Sequence, residues 1–194
     1  MTARPPIRVL GIDPGLTRCG YAVIEAHGTR TVRALSMGVL RTPPSSPLPQ
    51  RLAELKGELA ALIAEFAPHA VAVEQVFFQV NVRTAMSVGQ ASGLALAEAA
   101  AAGCDVVQYT PNQVKNAVAG WGGADKAQVQ KMVQARLGLT VVPEPPDAAD
   151  AAALALCHLA MAPMAAQVAA QQARQSAQMA AAQAATAAAA STGR

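Results

Sequence analysis

Three β-favouring runs fill the first 40 residues, and the segments joining them are too short for anything but turns. "IRVLGID" at 7–13 and "GYAVIEA" at 20–26 flank "PGLTRC", and "HGT" at 27–29 leads into a third run over roughly 30–40. Parallel neighbours need a crossover of a dozen or more residues. These strands therefore pair antiparallel in chain order, and everything downstream must be built onto that ribbon.

The pattern then changes period. After a proline-rich loop, "RTPPSSPLPQ" at 41–50, Leu52, Leu55, Leu59, Leu62, Ile63 and Phe66 recur at helical spacing, with Glu54, Lys56, Glu58 and Glu65 off the stripe. "HAVAVEQV" reads as a short buried strand, "NVRTAMSVGQASGLALAEAAAA" as a small-residue helix stopping at Gly103, and "CDVVQYT" as a fifth strand. Thr110 followed by Pro111 is a cap with proline at the first helical position. "GWGGADK" interrupts that helix, another runs from about 124 to 137, and "PEPPDAADAAALALCHLAMA" forms the last. The order predicts an α/β protein with a five-stranded mixed sheet flanked by helices, a succession that resembles the ribonuclease H-like architecture.

Composition limits where such a chain works. No apolar run reaches the roughly 20 residues that span a bilayer, and "MTARPPIRV" lacks the apolar stretch of a signal peptide. Cys19, Cys104 and Cys157 are odd in number and far apart, which suits a reduced cytoplasmic protein better than a disulfide framework or a zinc site. From 163 to 194 the sequence becomes an Ala/Gln-rich low-complexity tail with helix propensity but few large apolar groups to dock. The expected organisation is an extension at 1–6, a folded domain at 7–162 and that tail.

One residue sits badly in the ribbon. Asp13 ends the first apolar run, and burying a lone charge is expensive. A strand-end Asp before Pro-Gly is often only a turn former, but three other acids share its setting. Glu74 closes the apolar fourth strand, where glutamate is disfavoured. Asp147 and Asp150 fall one turn apart at the start of the last helix, on one face, where acids also serve as plain favourable charges. If the first and fourth strands are neighbours and the last helix crosses their ends, four carboxylates meet. Mg²⁺ or Mn²⁺ is then the natural neutraliser, and carboxylate-held metal pairs commonly perform in-line displacement at phosphorus. With four of the 12 acids so occupied, eight remain against 15 Lys and Arg, a body of +7 that suits an anionic partner. His27, His69 and His158 are scattered and read as surface or packing residues.

"GIDPG", "AVEQVFF", "GQASG", "TPNQVKNAVAG", "ADKAQVQKMV" and "DAADAAALAL", in this order and spacing, resemble the RuvC family of Holliday-junction resolvases over about 7–160. The resemblance implies a metal-dependent, structure-selective endonuclease that resolves four-way DNA junctions by paired symmetric nicks in recombination and repair, leaving 5′-phosphate and 3′-hydroxyl ends. It implies Asp13, Glu74, Asp147 and Asp150 as catalytic, metal-binding acids holding two Mg²⁺ ions, with Mn²⁺ as a substitute. It implies Phe77 as an aromatic stacking on an unpaired base at the junction, with "FF" leaving open whether Phe77 or Phe78 faces DNA. Lys115 and Lys126 become DNA contacts. It further implies a homodimer joined through the helix at 81–102, and the branch-migration complex RuvAB as partner. The small-residue stripe of that helix, Ala85, Gly89, Ser92 and Gly93, suits a second helix or the chain's own sheet.

Other readings begin from similar residues. Sugar kinases and actin-like ATPases also place an acid after their first strand, but they need a second, duplicated lobe with phosphate-binding turns. A ribonuclease H-like nuclease acting on RNA precursors shares the expected fold, and a non-catalytic junction-binding module shares the expected surface. The junction-family motifs around Phe77 and Lys115 argue against the first of these two, and the presence of all four acids against the second.

Overall fold

The computed structural model describes residues 5–28, 31–75 and 82–163, together with 171 and 175. The chain divides into two compact units, Met1–Leu159 and Ala160–Arg194. The first contains β1 (Ile7–Asp13), β2 (Arg18–His27), β3 (Thr31–Arg41), α1 (Leu48–Phe66), β4 (Ala70–Glu74), α2 (Val82–Ala101), β5 (Asp105–Tyr109), α3 (Pro111–Ala119) and α4 (Lys126–Leu137). A fifth helix, α5, starts at residue 146 and runs to the end of this unit. In the second unit residues 160–163 are helical; the tail beyond them falls outside the described residues apart from 171 and 175.

The sheet has the order β3-β2-β1-β4-β5. β1 and β2 pair antiparallel, as do β2 and β3, while β4 joins β1 in parallel and β5 joins β4 in parallel. The sheet is therefore mixed, as the βββ-then-alternating pattern requires. β2 begins earlier than its apolar run, at Arg18, because Arg18 pairs with Arg41 and shortens the β1–β2 turn to residues 14–17.

Alternation along each strand sorts the residues into two faces. Leu10, Ile12, Val23, Val71 and Val73 point to one side, where Leu55, Leu59 and Ile63 of α1 and Ala91, Ala95 and Ala99 of α2 complete the core. At about 25 cal/mol per Å² of apolar surface, each such leucine or valine contributes roughly 1.5–3 kcal/mol. Val9, Gly11 and Asp13 face the other way, beside Gly20 and Ala22 of β2 and Ala72 and Glu74 of β4.

α5 covers that second face at unusually short range. A Cβ built on Gly11 would lie 1.9 Å from the Ala151 carbonyl oxygen, and one on Gly20 would lie 2.2 Å from that of Asp147. Only hydrogen at these two positions lets the helix backbone rest on the strands. The helix answers in kind: Ala148, Ala149, Ala151, Ala152, Ala153 and Ala155 are all buried.

α2 divides its small residues. Ser92 is buried with Ala91, Ala95 and Ala99 against the chain's own sheet, whereas Gly93 is exposed and Ala85 and Gly89 are half-buried. The stripe is thus split between the core and the outer surface, where Gly89 and Gly93 have open space beside them.

Candidate active site

Asp13 and Glu74 terminate β1 and β4, the central parallel pair, and the register Gly11↔Ala72, Ile12↔Val73 brings their ends level. Sharing a face by alternation, the two carboxyls come within hydrogen-bonding reach, with the Asp13 carboxyl donating to Glu74. The puzzle of the charge in the strand thus resolves into a pair of acids. Burial above all, then the negative charges of Glu74, Asp150 and Asp147, push the Asp13 carboxyl up to about 7. Burial raises Glu74 as well, and the hydrogen bond from Asp13 works against that shift. Two carboxyls in one desolvated corner resist ionising together.

α5 supplies the other two acids. Proline at 145 and 146 starts the helix, so Asp147 and Asp150 occupy its first turn over the strand ends. Each is held by a cation. Arg18 of β2 grips Asp147 with both arms, Nη2 to Oδ2 at 2.6 Å and Nε to Oδ1 at 3.4 Å, and this contact first of all keeps the Asp147 carboxyl low. Lys126, the first residue of α4, donates from Nζ to Asp150 Oδ2 at 2.5 Å. Asp147 and Asp150 therefore act on Asp13 through their charge while their oxygens are turned to basic partners. Among the described residues no three His, Cys, Asp or Glu side chains close on one point as a ready-made metal cage. The four acids therefore stand as a close pair and two cation-bound aspartates, because a nearby guanidinium or ammonium competes for any partly exposed carboxylate.

A cleft of about 240 Å³ opens over this corner, floored by Asp13, Glu74 and Asp150 and walled by Lys115, Lys126 and the apolar Val114, Val129 and Leu154. Lys115 arrives on α3, whose Thr110 hydroxyl accepts from the Gln113 amide while the Gln113 side chain caps back. Lys126 opens α4, capped the same way by Asp125 and Gln128. These reciprocal caps fix where each lysine projects. The expected DNA contacts Lys115 and Lys126 thus share one cleft with three of the four acids. Phe77, with Phe78, lies outside the described residues.

Arg18 falls in "PGLTRC", which the sequence marks only as a turn. Its partner lies 129 positions away, and no local pattern signals that pairing. His158 is buried, its Nδ1 3.0 Å from the Tyr109 hydroxyl, which fits the packing role expected of it. Glu25, buried on β2, is enclosed by Arg8, Arg33 and His27 away from the cleft and serves the sheet instead.

The profile of the family described as crossover junction endodeoxyribonuclease RuvC matches residues 9–158, a span that holds all four acids and both lysines. The chain belongs to the RuvC family. A crossover junction endodeoxyribonuclease RuvC of Leifsonia xyli is 50% identical over 143 residues, covering 74% of this chain and 69% of the relative. One from Desulfitobacterium hafniense is 52% identical over 141 residues, covering 73% and 85%. Among solved structures, Thermus thermophilus RuvC in complex with a Holliday junction substrate superposes with a TM-score of 0.78 at 40% identity, over 82% of this chain and 96% of that one. The yeast mitochondrial Holliday junction resolvase Ydc2 shares the fold, with a TM-score of 0.61 at 17% identity over 81% of each chain. The architecture is ribonuclease H-like.

Proposed function

We propose that this chain resolves four-way DNA junctions by paired, symmetric nicks, using Asp13, Glu74, Asp147 and Asp150 as its metal-holding acids. Membership of the RuvC family gives its class, a Holliday-junction-resolving endonuclease. The observation that carries the assignment of residues is the Asp13–Glu74 pair at adjacent strand ends, inside a cleft walled by Lys115 and Lys126.

The donor set fits Mg²⁺. This ion is usually held by one or two carboxylates and completes its shell with water and substrate phosphate, so an open all-oxygen corner suits it better than a closed cage. Asp13 and Glu74 would hold it directly. Asp150 and Asp147 would turn from Lys126 and Arg18 to complete a two-ion site, with Mn²⁺ as a substitute. Bound there, the ions would activate water and stabilise the departing 3′ oxygen.

The chain's own groups do the rest. The apolar side chains of Val114, Val129 and Leu154 lower the polarity of the cleft lining, which strengthens charge interactions beside them. Lys115 and Lys126 place positive charge where a phosphodiester would enter, and once Asp150 turns away Lys126 is free to pair with a phosphate oxygen. Phe77 would stack on an unpaired base beside the cut.

A homodimer would present two such clefts about a two-fold axis, matching two strands of like polarity in a symmetric junction. Within it the outer surface of α2, with Gly89, Gly93 and the exposed Met86, is the contact face. RuvAB would be its branch-migration partner in the cytoplasm; among the described residues no helix is long and apolar enough to cross a membrane. Residues 7–162 would form the nuclease domain, with 1–6 and 163–194 outside its catalytic core.

The test is cleavage of a labelled synthetic four-way junction, a matched linear duplex and an RNA duplex, with Mg²⁺ or EDTA. Paired nicks in the junction alone, lost with EDTA and in Asp13→Asn, are expected. Junction binding without cutting under any metal would make the chain a binding module, and preferential cutting of RNA would move it to RNA processing.

A further inference from the structure

We propose that Trp121, in the turn joining the two helices that carry the cleft lysines, is a second base-stacking platform for DNA, a role that rests on the nuclease reading. Trp121 is the only tryptophan in the chain and stands 56% exposed. A single exposed apolar residue needs no explanation by itself; the setting of this one supplies it. It lies in the short turn between α3 and α4, the two helices that bring Lys115 and Lys126 to the cleft wall.

The turn is built to hold the ring still. α3 ends at Gly120 in the left-handed region, φ 86°, with its N–H returned to the Asn116 carbonyl. The indole then lies against the backbone of Gly123, where an added Cβ would be 2.1 Å from Cζ3 and 2.7 Å from Cε3. Only glycine leaves room for that contact. Ala124, fully buried, anchors the far side of the turn. One side of the ring is thus braced by Gly123 while more than half of its surface remains in solvent.

A braced aromatic in the turn joining two lysine-bearing helices matches what single-stranded nucleic acid requires, a basic track for the backbone and a flat apolar face for a base. A membrane or protein contact would gain nothing from lysines converging on buried acids. Inside a linear duplex both faces of each base are already covered by neighbours, whereas strands parting at a junction expose them. The occupant of Trp121 is therefore an unstacked base of the strand entering the cleft.

Because Trp121 is the sole tryptophan, its intrinsic emission reports on this position alone. Full-length Asp13→Asn protein, which would leave the DNA intact, is titrated with a junction and with a linear duplex, while anisotropy of labelled DNA follows binding independently. Saturating junction should quench the emission well beyond what saturating duplex does. In the same background Trp121→Ala should weaken junction binding about fivefold or more, the low end for loss of one stacked base. Trp121→Phe should recover most of that loss. The salt dependence of binding should be unchanged in Trp121→Ala, since no phosphate contact is removed. Junction binding with unaltered emission, or equal affinity of Trp121→Ala and its parent, would overturn the proposal alone. Equal loss in Trp121→Phe and Trp121→Ala would also overturn it. Failure of the parent protein to bind the junction would remove this proposal together with the nuclease reading.

Discussion

Replacing Asp13 by asparagine should stabilise the metal-free protein, and by an amount that grows with pH. The Asp13 carboxyl is raised from 3.8 to about 7 by burial and by the charges of Glu74, Asp150 and Asp147. A raised acid pKa means that the folded state keeps a proton the unfolded chain has already released. The contribution of Asp13 is therefore fully present below about pH 3.8 and is lost as pH rises towards 7. At about 1.4 kcal/mol per pKa unit, the accumulated cost is on the order of 4 kcal/mol. Asparagine keeps the size of the side chain and cannot ionise. Urea unfolding in EDTA should give similar stabilities for the two proteins near pH 4, with the variant ahead by several kcal/mol at pH 8. Differences in the titration of Glu25 and Asp147, whose carboxyls are lowered and so act in the opposite sense, cancel in this comparison. Mg²⁺ at pH 8 should raise the wild type towards the variant, because a cation replaces the missing proton. A gap that is constant from pH 4 to 8 would refute the assignment of strain to the Asp13 charge. A gap untouched by Mg²⁺ would remove Asp13 from the metal site.

Two further outcomes follow from contacts away from the acids. Gly11→Ala should lower stability by about 3 kcal/mol, at or beyond the upper end for overpacking, since the added methyl meets the Ala151 carbonyl oxygen at 1.9 Å. For a chain of this size that corresponds to a fall of roughly 6–12 °C in melting temperature, and a change of under a degree would show that α5 does not rest on β1. Glu25→Gln should destabilise the protein at neutral pH, because hydrogen bonds from Arg8, then Arg33 and His27, hold the Glu25 carboxyl down at about 2. That stabilisation is present above the unfolded value of 4.5 and disappears as pH falls through about 2, so melting curves of the two proteins should converge in strong acid; a difference that persists there would point to packing.

Much of the architecture was legible because it is written in short-range periods. The brevity of "PGLTRC" and "HGT" allowed only antiparallel pairing of β1 to β3, and the observed order β3-β2-β1 follows from it. Thr110-Pro111 announced the start of α3, and the structure shows the full reciprocal cap there. The acids were visible for a different reason: Asp13 and Glu74 break otherwise apolar strands, and buried charge is conspicuous wherever it occurs. The fate of Asp147 and Asp150 was not visible, because which cation reaches a carboxylate depends on distances across the fold. The small residues of α2 left two packings open for the same reason. Ser92 and Gly93 are adjacent in sequence, and only the direction of the sheet sends one inward and the other to solvent.

By itself, then, the sequence determined the succession of strands and helices, the capped start of the helix that carries Lys115, and the presence of acids at two strand ends and one helix start. Tertiary structure alone decided how close they come. Gly11 and Gly20 look like ordinary weak points in their strands, yet their missing side chains let the α5 backbone descend onto β1 and β2. That descent sets Asp147 against Arg18 and places its charge, with that of Asp150, within reach of Asp13. Electrostatic energy depends on separation and on the water excluded between groups, and neither quantity exists along a chain until it has folded.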